Sequence, residues 1–204
     1  MTGGSGLYIN AVCNGIDELP DPDDNIRNQL KEILKLEGIV ALQKKLQELD
    51  PEYYNKADIA NPNRLLRALE VCLQTGRKYS ELRTQQHKER DFKIIKIGLH
   101  KDINELYDTI NARVDRMIVS GLVEEARNLL PFRHLNALNT VGYKELFLYF
   151  DGIYTLAEAI TKIKTNTRHY AKRQLTWFRK DKSIRWFLPT ETDSIKEHIN
   201  FMIS

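Results

Sequence analysis

The chain has 204 residues, 42% of them hydrophobic and 29% charged, with a formal net charge of +3. That is enough for one good-sized core, or one core and a small satellite domain, and too little charge to mark the whole chain as a nucleic-acid binder, so any polyanion contact must come from local clustering. Cys13 and Cys72 stand far apart without zinc-site or redox-pair spacing and read as buried small hydrophobes in a reducing cytoplasm; no apolar run reaches membrane-span length and no signal-peptide pattern opens the chain.

The chain opens on Gly3-Gly4-Ser5-Gly6-Leu7-Tyr8, a glycine-rich turn running into an apolar helix. Such glycines let a backbone approach an anion at a helix N-terminus, and a simple tight turn is the equal alternative. After a break at Leu19-Pro20-Asp21-Pro22, helical spacing runs through Ile26, Leu30, Ile33 and Leu34, then through Leu42, Leu46 and Leu49. Asn61-Pro62 is an N-cap followed by proline in the first turn, starting a helix with Leu65, Leu69 and Cys72 on one face that stops at Gly76. Residues from about 20 to 90 therefore read as an all-helical unit. On its last main helix Arg64 and Arg67 are either surface solubilisers or contacts to a polyanion.

Phe92 to Leu99 is the one convincing interior strand, aliphatic enough to be covered on at least one face; Ile184 to Leu188 is the other candidate. Asp102 and Glu105 form a capping-box pattern for a helix striped by Ile103, Leu106, Tyr107, Ile110, Val114, Met117 and Ile118 and closed at Gly121. Arg113 lies about 20° from Leu106 and about 40° from Met117 around that helix, at the edge of the core face. A guanidinium there needs an anion, supplied by a core carboxylate or by a ligand.

A short helix at Glu124 to Leu130 precedes the segment Asn139-Thr140-Val141-Gly142-Tyr143-Lys144, which suits holding an unstacked base and equally suits an ordinary helix entry. The long helix 155 to 181 has two contrasting faces. Ala159, Ile160, Ile163, Tyr170, Ala171, Trp177 and Phe178 fall on one arc, and Lys164, Arg168, Lys172 and Arg179 line the other. Spacing leaves that cationic row open between a solvated face and a phosphate contact. Thr167 and Gln174 fall inside the apolar arc and need specific partners. A second strand and a terminal helix from about Asp193 complete the chain.

Taken together, five segments resemble the tRNA dimethylallyltransferases, also called tRNA isopentenyltransferases. They are Gly3 to Tyr8, Asn63-Arg64-Leu65-Leu66-Arg67-Ala68-Leu69-Glu70-Val71, Arg113-Val114-Asp115-Arg116-Met117, Val141 to Glu145, and Lys172-Arg173-Gln174-Leu175-Thr176-Trp177-Phe178-Arg179, in the family's order and spacing. The resemblance implies transfer of a dimethylallyl group from dimethylallyl diphosphate to the exocyclic N6 amine of the adenosine 3′ to the anticodon. It implies an α/β fold of P-loop NTPase type, here predominantly α-helical with about two strands. Residues 1–20 and 91–204 would be the core, and 21–90 an inserted helical domain that grips the anticodon stem-loop.

By the same resemblance, Arg113 holds the diphosphate leaving group and is the catalytic candidate. Ser5, Arg27, Asn63, Arg64, Leu65, Leu66 and Arg67 touch tRNA. So do Asn139, Thr140, Val141, Gly142, Tyr143 and Lys144 beside the anticodon bases, and Lys172, Arg173, Gln174, Leu175, Thr176, Trp177, Phe178 and Arg179 on the long helix. Ser5 stands where threonine is commoner, and Asn139 where arginine often stands. Magnesium is the implied cofactor, with no ligands in this chain. The intact enzyme is expected to be a cytoplasmic monomer with no membrane partner. No phosphate-binding loop ending in Gly-Lys and a hydroxyl residue occurs, and the pattern starts in mid-fold. The expectation is therefore a truncated core, inactive by itself, with a non-catalytic RNA-binding helical module as the alternative.

Overall fold

Helix ends leave backbone N–H and C=O groups unpaired, and several helices of this chain start where a side chain answers them. The computed structural model describes residues 1–84 and 88–204. They divide into two units, Asn10–Phe92, and Met1–Ile9 with Lys93–Ser204. Helix α1 (Gly6–Asn14) crosses the division.

The first unit is helical: α2 (Asp24–Glu37), α3 (Ile39–Leu49), α4 (Pro51–Lys56), α5 (Pro62–Thr75) and α6 (Tyr79–Leu82). Asp23 caps α2 by accepting from the Asn25 and Ile26 N–H groups. Asn61 caps α5 by accepting from Asn63 N–H, and Gly76 ends that helix at φ 67°. Leu30, Leu42, Leu46, Leu65 and Leu69 meet between α2, α3 and α5 and are fully enclosed, each stabilising by roughly 1.5–3 kcal/mol. Buried Asp50 links α4 to α6: Oδ1 accepts from Tyr53 N–H at 2.9 Å, and Oδ2 from Ser80 N–H at 2.7 Å. The unit's two chain ends are tied by Lys88 N–H donating to Asn14 O at 2.9 Å and by Arg90 Nη2 donating to Ala11 O at 2.8 Å. Both cysteines are free and buried, as their isolation in the sequence suggests.

The second unit holds β1 (Ile97–Leu99), α7 (Ile103–Val119), α8 (Leu122–Leu129), α9 (Tyr143–Phe150), α10 (Leu156–Phe178), β2 (Arg185–Phe187) and α11 (Thr192–Ile203). Its core is Val114, Leu122, Ala126, Leu146, Ala159 and Ile163, where α7, α8, α9 and α10 meet. The strands pair in parallel, Ile97 with Arg185, Gly98 with Trp186 and Leu99 with Phe187. The strand expected over Phe92 to Leu99 is thus cut to three residues, because a ladder extends only as far as its partner and β2 offers three. Ile94 and Ile95 are half-buried outside it.

The expected continuous apolar arc of the long helix is also corrected. Ala159 and Ile163 are buried, but Tyr170 is 45% and Trp177 47% exposed. Ala159 and Ile163 are the buried α10 residues in the core built with α7, α8 and α9, and Leu156 and Ile160 pack against it partly buried.

Two contacts fix the strand pair. A Cβ on Gly98 would lie 2.6–2.8 Å from the Trp186 ring, so only glycine admits the indole there. Lys96 Nζ donates to Asp181 Oδ2 at 2.8 Å, while the Ser183 N–H and hydroxyl donate to Asp181 Oδ1 at 2.9 and 2.6 Å. Partial burial pushes the Asp181 carboxyl up, but the hydrogen bonds from Lys96 and Ser183 and the Lys96 charge outweigh it, bringing it from 3.8 to about 2.

Gly98→Ala should destabilise the chain by about 1–3 kcal/mol through overpacking, read as a lower midpoint in urea; an unchanged midpoint would mean that Trp186 swings clear. The folded Asp181 carboxyl titrates below its unfolded value, so its contribution is complete above about pH 4 and is lost as pH falls through about 2. With the side chain 37% exposed, screening reduces that contribution to about 1 kcal/mol. Asp181→Asn should therefore be less stable than wild type at neutral pH by about this amount, with the gap closing toward pH 2 in a urea series. A gap independent of pH would remove the ion pair as its cause.

Candidate nucleic-acid interface

A half-buried cation must find acceptors, and this requirement separates the candidate residues into those held inside the protein and those left open. In the helical unit Arg27 Nη2 lies 2.7 Å and Arg67 Nη1 3.0 Å from the same oxygen, Glu70 Oε2. Arg67 Nη2 donates to Pro20 O at 2.7 Å. Arg67 is thus neither a free surface solubiliser nor an unengaged cation. Leu65 and Leu66 are core residues, at positions where α5 turns its side chains into the unit. Asn63 is exposed, and Arg64 lies 3.8 Å from Asp58 with both side chains largely in solvent.

The cationic row of α10 divides in two. Lys164 Nζ is 2.6 Å from Asp115 Oδ1. Arg168 donates to Asn111 Oδ1 and to Thr165 Oγ1, both at 3.0 Å, and lies over the Tyr107 ring. These two cations bind α10 to α7, Lys164 through Asp115 and Arg168 through Asn111 and the Tyr107 ring. Beyond them Lys172, Arg173 and Arg179 are exposed. Among the described residues Lys172 and Arg179 have no ion pair, and Arg173 has only the Tyr170 ring, 5.9 Å away.

The glycine turn packs on the same stretch of α10. Gln174 Nε2 donates to Gly4 O at 2.6 Å, giving the half-buried amide its partner; Thr167 finds its own by donating to Ile163 O at 2.7 Å. A Cβ on Gly4 would lie 2.1 Å from Gln174 Nε2, and one on Gly6 would lie 2.3 Å from Trp177 Nε1. Close approach to α10 is therefore a reason for these glycines that needs no anion. Ser5 is exposed between them. Leu175 and Phe178 are half-buried and Thr176 exposed, its hydroxyl donating to Lys172 O at 2.9 Å.

The Asn139 to Lys144 segment is set by a buried acid. Glu145 Oε2 accepts from Gly142 N–H at 2.8 Å and Oε1 from Asn166 Nδ2 at 2.7 Å, tying the segment to α10. Gly142 sits at φ 110° and ψ −70°, a conformation that strains any L side chain. The Tyr143 hydroxyl donates to Glu125, and that bond, with burial and the Glu125 charge, raises the phenol above its ordinary value. Asn139, Thr140, Val141 and Lys144 remain exposed.

Arg113 is exposed on α7, and among the described residues it has no ion pair. It lies two positions from both Asn111 and Asp115, about 200° around the helix. The α7–α10 lock therefore leaves it out, and the core-carboxylate alternative for Arg113 is not what the structure contains. Among the described residues no group of three or more His, Cys, Asp or Glu side chains could hold a metal ion. No helix is long and apolar enough to cross a membrane.

Sequence reasoning did not assign Glu70, Glu145, Asn166 or Glu125. Glu145 carried a signal in its place three residues after Gly142, the spacing of an acid that caps a helix start. Asn166 and Glu125 act through contacts distant in sequence, and Glu70 through one distant contact, Arg27, and one local, Arg67.

Comparison with known proteins gives the family. The family model described as IPP transferase matches residues 1–181. The tRNA dimethylallyltransferase 1 of Phocaeicola vulgatus is 52% identical over 200 residues, covering 98% of this chain and 67% of that protein. The crystal structure of the full-length tRNA isopentenylpyrophosphate transferase of Bacillus halodurans is 35% identical, covers 97% of this chain and 63% of its own, and has a TM-score of 0.56. A eukaryotic dimethylallyltransferase crystallised acting on tRNA shares the fold at a TM-score of 0.72 and 23% identity, covering 97% of this chain and 54% of that one. The chain spans 62 to 68% of the length of the first curated relatives it matches. Those relatives match 92 to 100% of it and are all named as transferases, which supports neither an inactive fragment nor a non-catalytic RNA-binding module. The chain belongs to the IPP transferase family, that of the tRNA dimethylallyltransferases.

Proposed function

We propose that this chain carries tRNA-binding and leaving-group residues of a dimethylallyltransferase. The reaction joins the dimethylallyl group of dimethylallyl diphosphate to the N6 amine of the adenosine 3′ to a tRNA anticodon. In that reaction the amine lone pair forms a C–N bond to the allylic carbon, the C–O bond breaks, diphosphate departs with its electrons, and the amine loses a proton. Charge grows on the departing oxygens, so a fixed cation there acts more strongly on the transition state than on the bound substrate. Arg113, exposed and unpaired while its neighbours on α7 engage α10, is the candidate for that task.

The observation that carries the reading is the division of the α10 cations. Lys164 and Arg168 are used internally, and Lys172, Arg173 and Arg179 are left open beside the glycine turn. A row of unpaired cations at helical spacing suits successive backbone phosphates. The Asn139 to Lys144 segment, held by Glu145, would lie beside the anticodon bases, and the Asn10–Phe92 unit would grip the stem. The larger core would be of the P-loop type, with magnesium as cofactor of the whole enzyme, which would act as a cytoplasmic monomer.

Arg113→Ala should lower single-turnover transfer at saturating tRNA by roughly 100-fold and leave tRNA affinity within about twofold. An undiminished rate would remove Arg113 from the chemistry. Lys172→Ala and Arg179→Ala should do the reverse, weakening tRNA binding and each reducing the slope of log affinity against log salt by about one. A slope equal to that of wild type would show that they touch no phosphate.

A further inference from the structure

Three carboxylates are buried among the described residues: Asp50, Glu70 and Glu145. Asp50 and Glu145 answer neutral donors at helix starts and between helices. Glu70 is different. It is 0% exposed, its Oε2 takes one guanidinium from α2 and one from α5, and its Oε1 makes no hydrogen bond. An apolar side chain would fill a helical core with less desolvation, so stability alone does not account for an acid with one oxygen unsatisfied.

The charge count suggests what does. One carboxylate stands against two guanidiniums, leaving a net positive charge at the group. The Arg27 and Arg67 side chains are 33% and 27% exposed, so both reach the surface. Each guanidinium has five N–H donors. Arg27 commits Nη2 to Glu70, and Arg67 commits Nη1 to Glu70 and Nη2 to Pro20 O, so donors remain on both. Two like charges this close separate unless a shared counter-charge holds them.

We propose that Glu70 is a positioning residue for RNA binding: it holds Arg27 and Arg67 side by side so that one backbone phosphate meets two preorganised guanidiniums. The proposal rests on the reading of this chain as a tRNA-binding transferase. It has a consequence opposite in sign to simple electrostatics. Removing a negative charge beside an RNA site should tighten binding, whereas removing the residue that aligns the arginines should weaken it.

The test is a filter-binding titration of the 204-residue chain with an anticodon stem-loop RNA at several salt concentrations. Wild type, Glu70→Gln and Arg27→Lys are compared, with thermal unfolding as a control. The expected result is that Glu70→Gln weakens binding by roughly tenfold and flattens the salt slope by about one while the fold is retained. Arg27→Lys keeps the charge, loses the planar fork and should weaken binding several-fold. A folded Glu70→Gln chain that binds as well as wild type, or better, overturns the proposal. Should Glu70→Gln not fold, Arg27→Lys decides, and wild-type affinity in that variant overturns it. A wild-type chain that does not bind the stem-loop at all overturns both this proposal and the functional reading beneath it.

Discussion

A guanidinium or ammonium group can be held half-inside a protein only against an acceptor, and that constraint sorts the cations of this chain. Lys164 and Arg168 are spent on α7, Arg27 and Arg67 on Glu70, and Lys96 on Asp181. Arg113, Lys172 and Arg179 are among the cations that remain outside these pairings. The internal pairs are thus as informative as the open ones: Lys164, Arg168 and Lys96 serve the fold, while Arg27 and Arg67 are held by Glu70 with donors left over. A count of basic residues would treat them alike.

The same sorting separates two kinds of polar residue in the matched motifs. In the segment Asn63 to Val71, Leu65 and Leu66 are core, Asn63 and Arg64 face solvent, and Arg67 is divided between an internal bond and the surface. In Lys172 to Arg179, Gln174 holds the glycine turn while Lys172 and Arg179 stay open. A motif of this kind carries a binding surface together with the scaffold that shapes it.

Much of the helical architecture was legible because its signals are local. Asn61 caps, Pro62 fits the first turn, and Gly76 takes the left-handed conformation at the end, all within one stretch of chain. The Cys72 face of α5 followed from periodicity alone. The strand at Phe92 to Leu99 was over-read because strand length depends on a partner far along the sequence, and β2 offers only three residues. The exposed Tyr170 and Trp177 were missed for a related reason: periodicity says which residues share a face, and not how far a neighbour covers it. Glu70 was invisible as a functional residue because its meaning comes from Arg27, 43 positions earlier.

The bond from Gln174 to Gly4 joins residues 170 positions apart. On a growing chain, Gly4 emerges long before its partner exists; at about 5–20 residues per second the wait is roughly 10 to 30 s. The Asn10–Phe92 unit is contiguous and complete well within that time, whereas the other unit is assembled from both ends of the sequence. Synthesis therefore favours an order in which the helical unit closes before the glycine turn finds its seat on α10, with much of the loop-closure entropy already met by the folded segment between them.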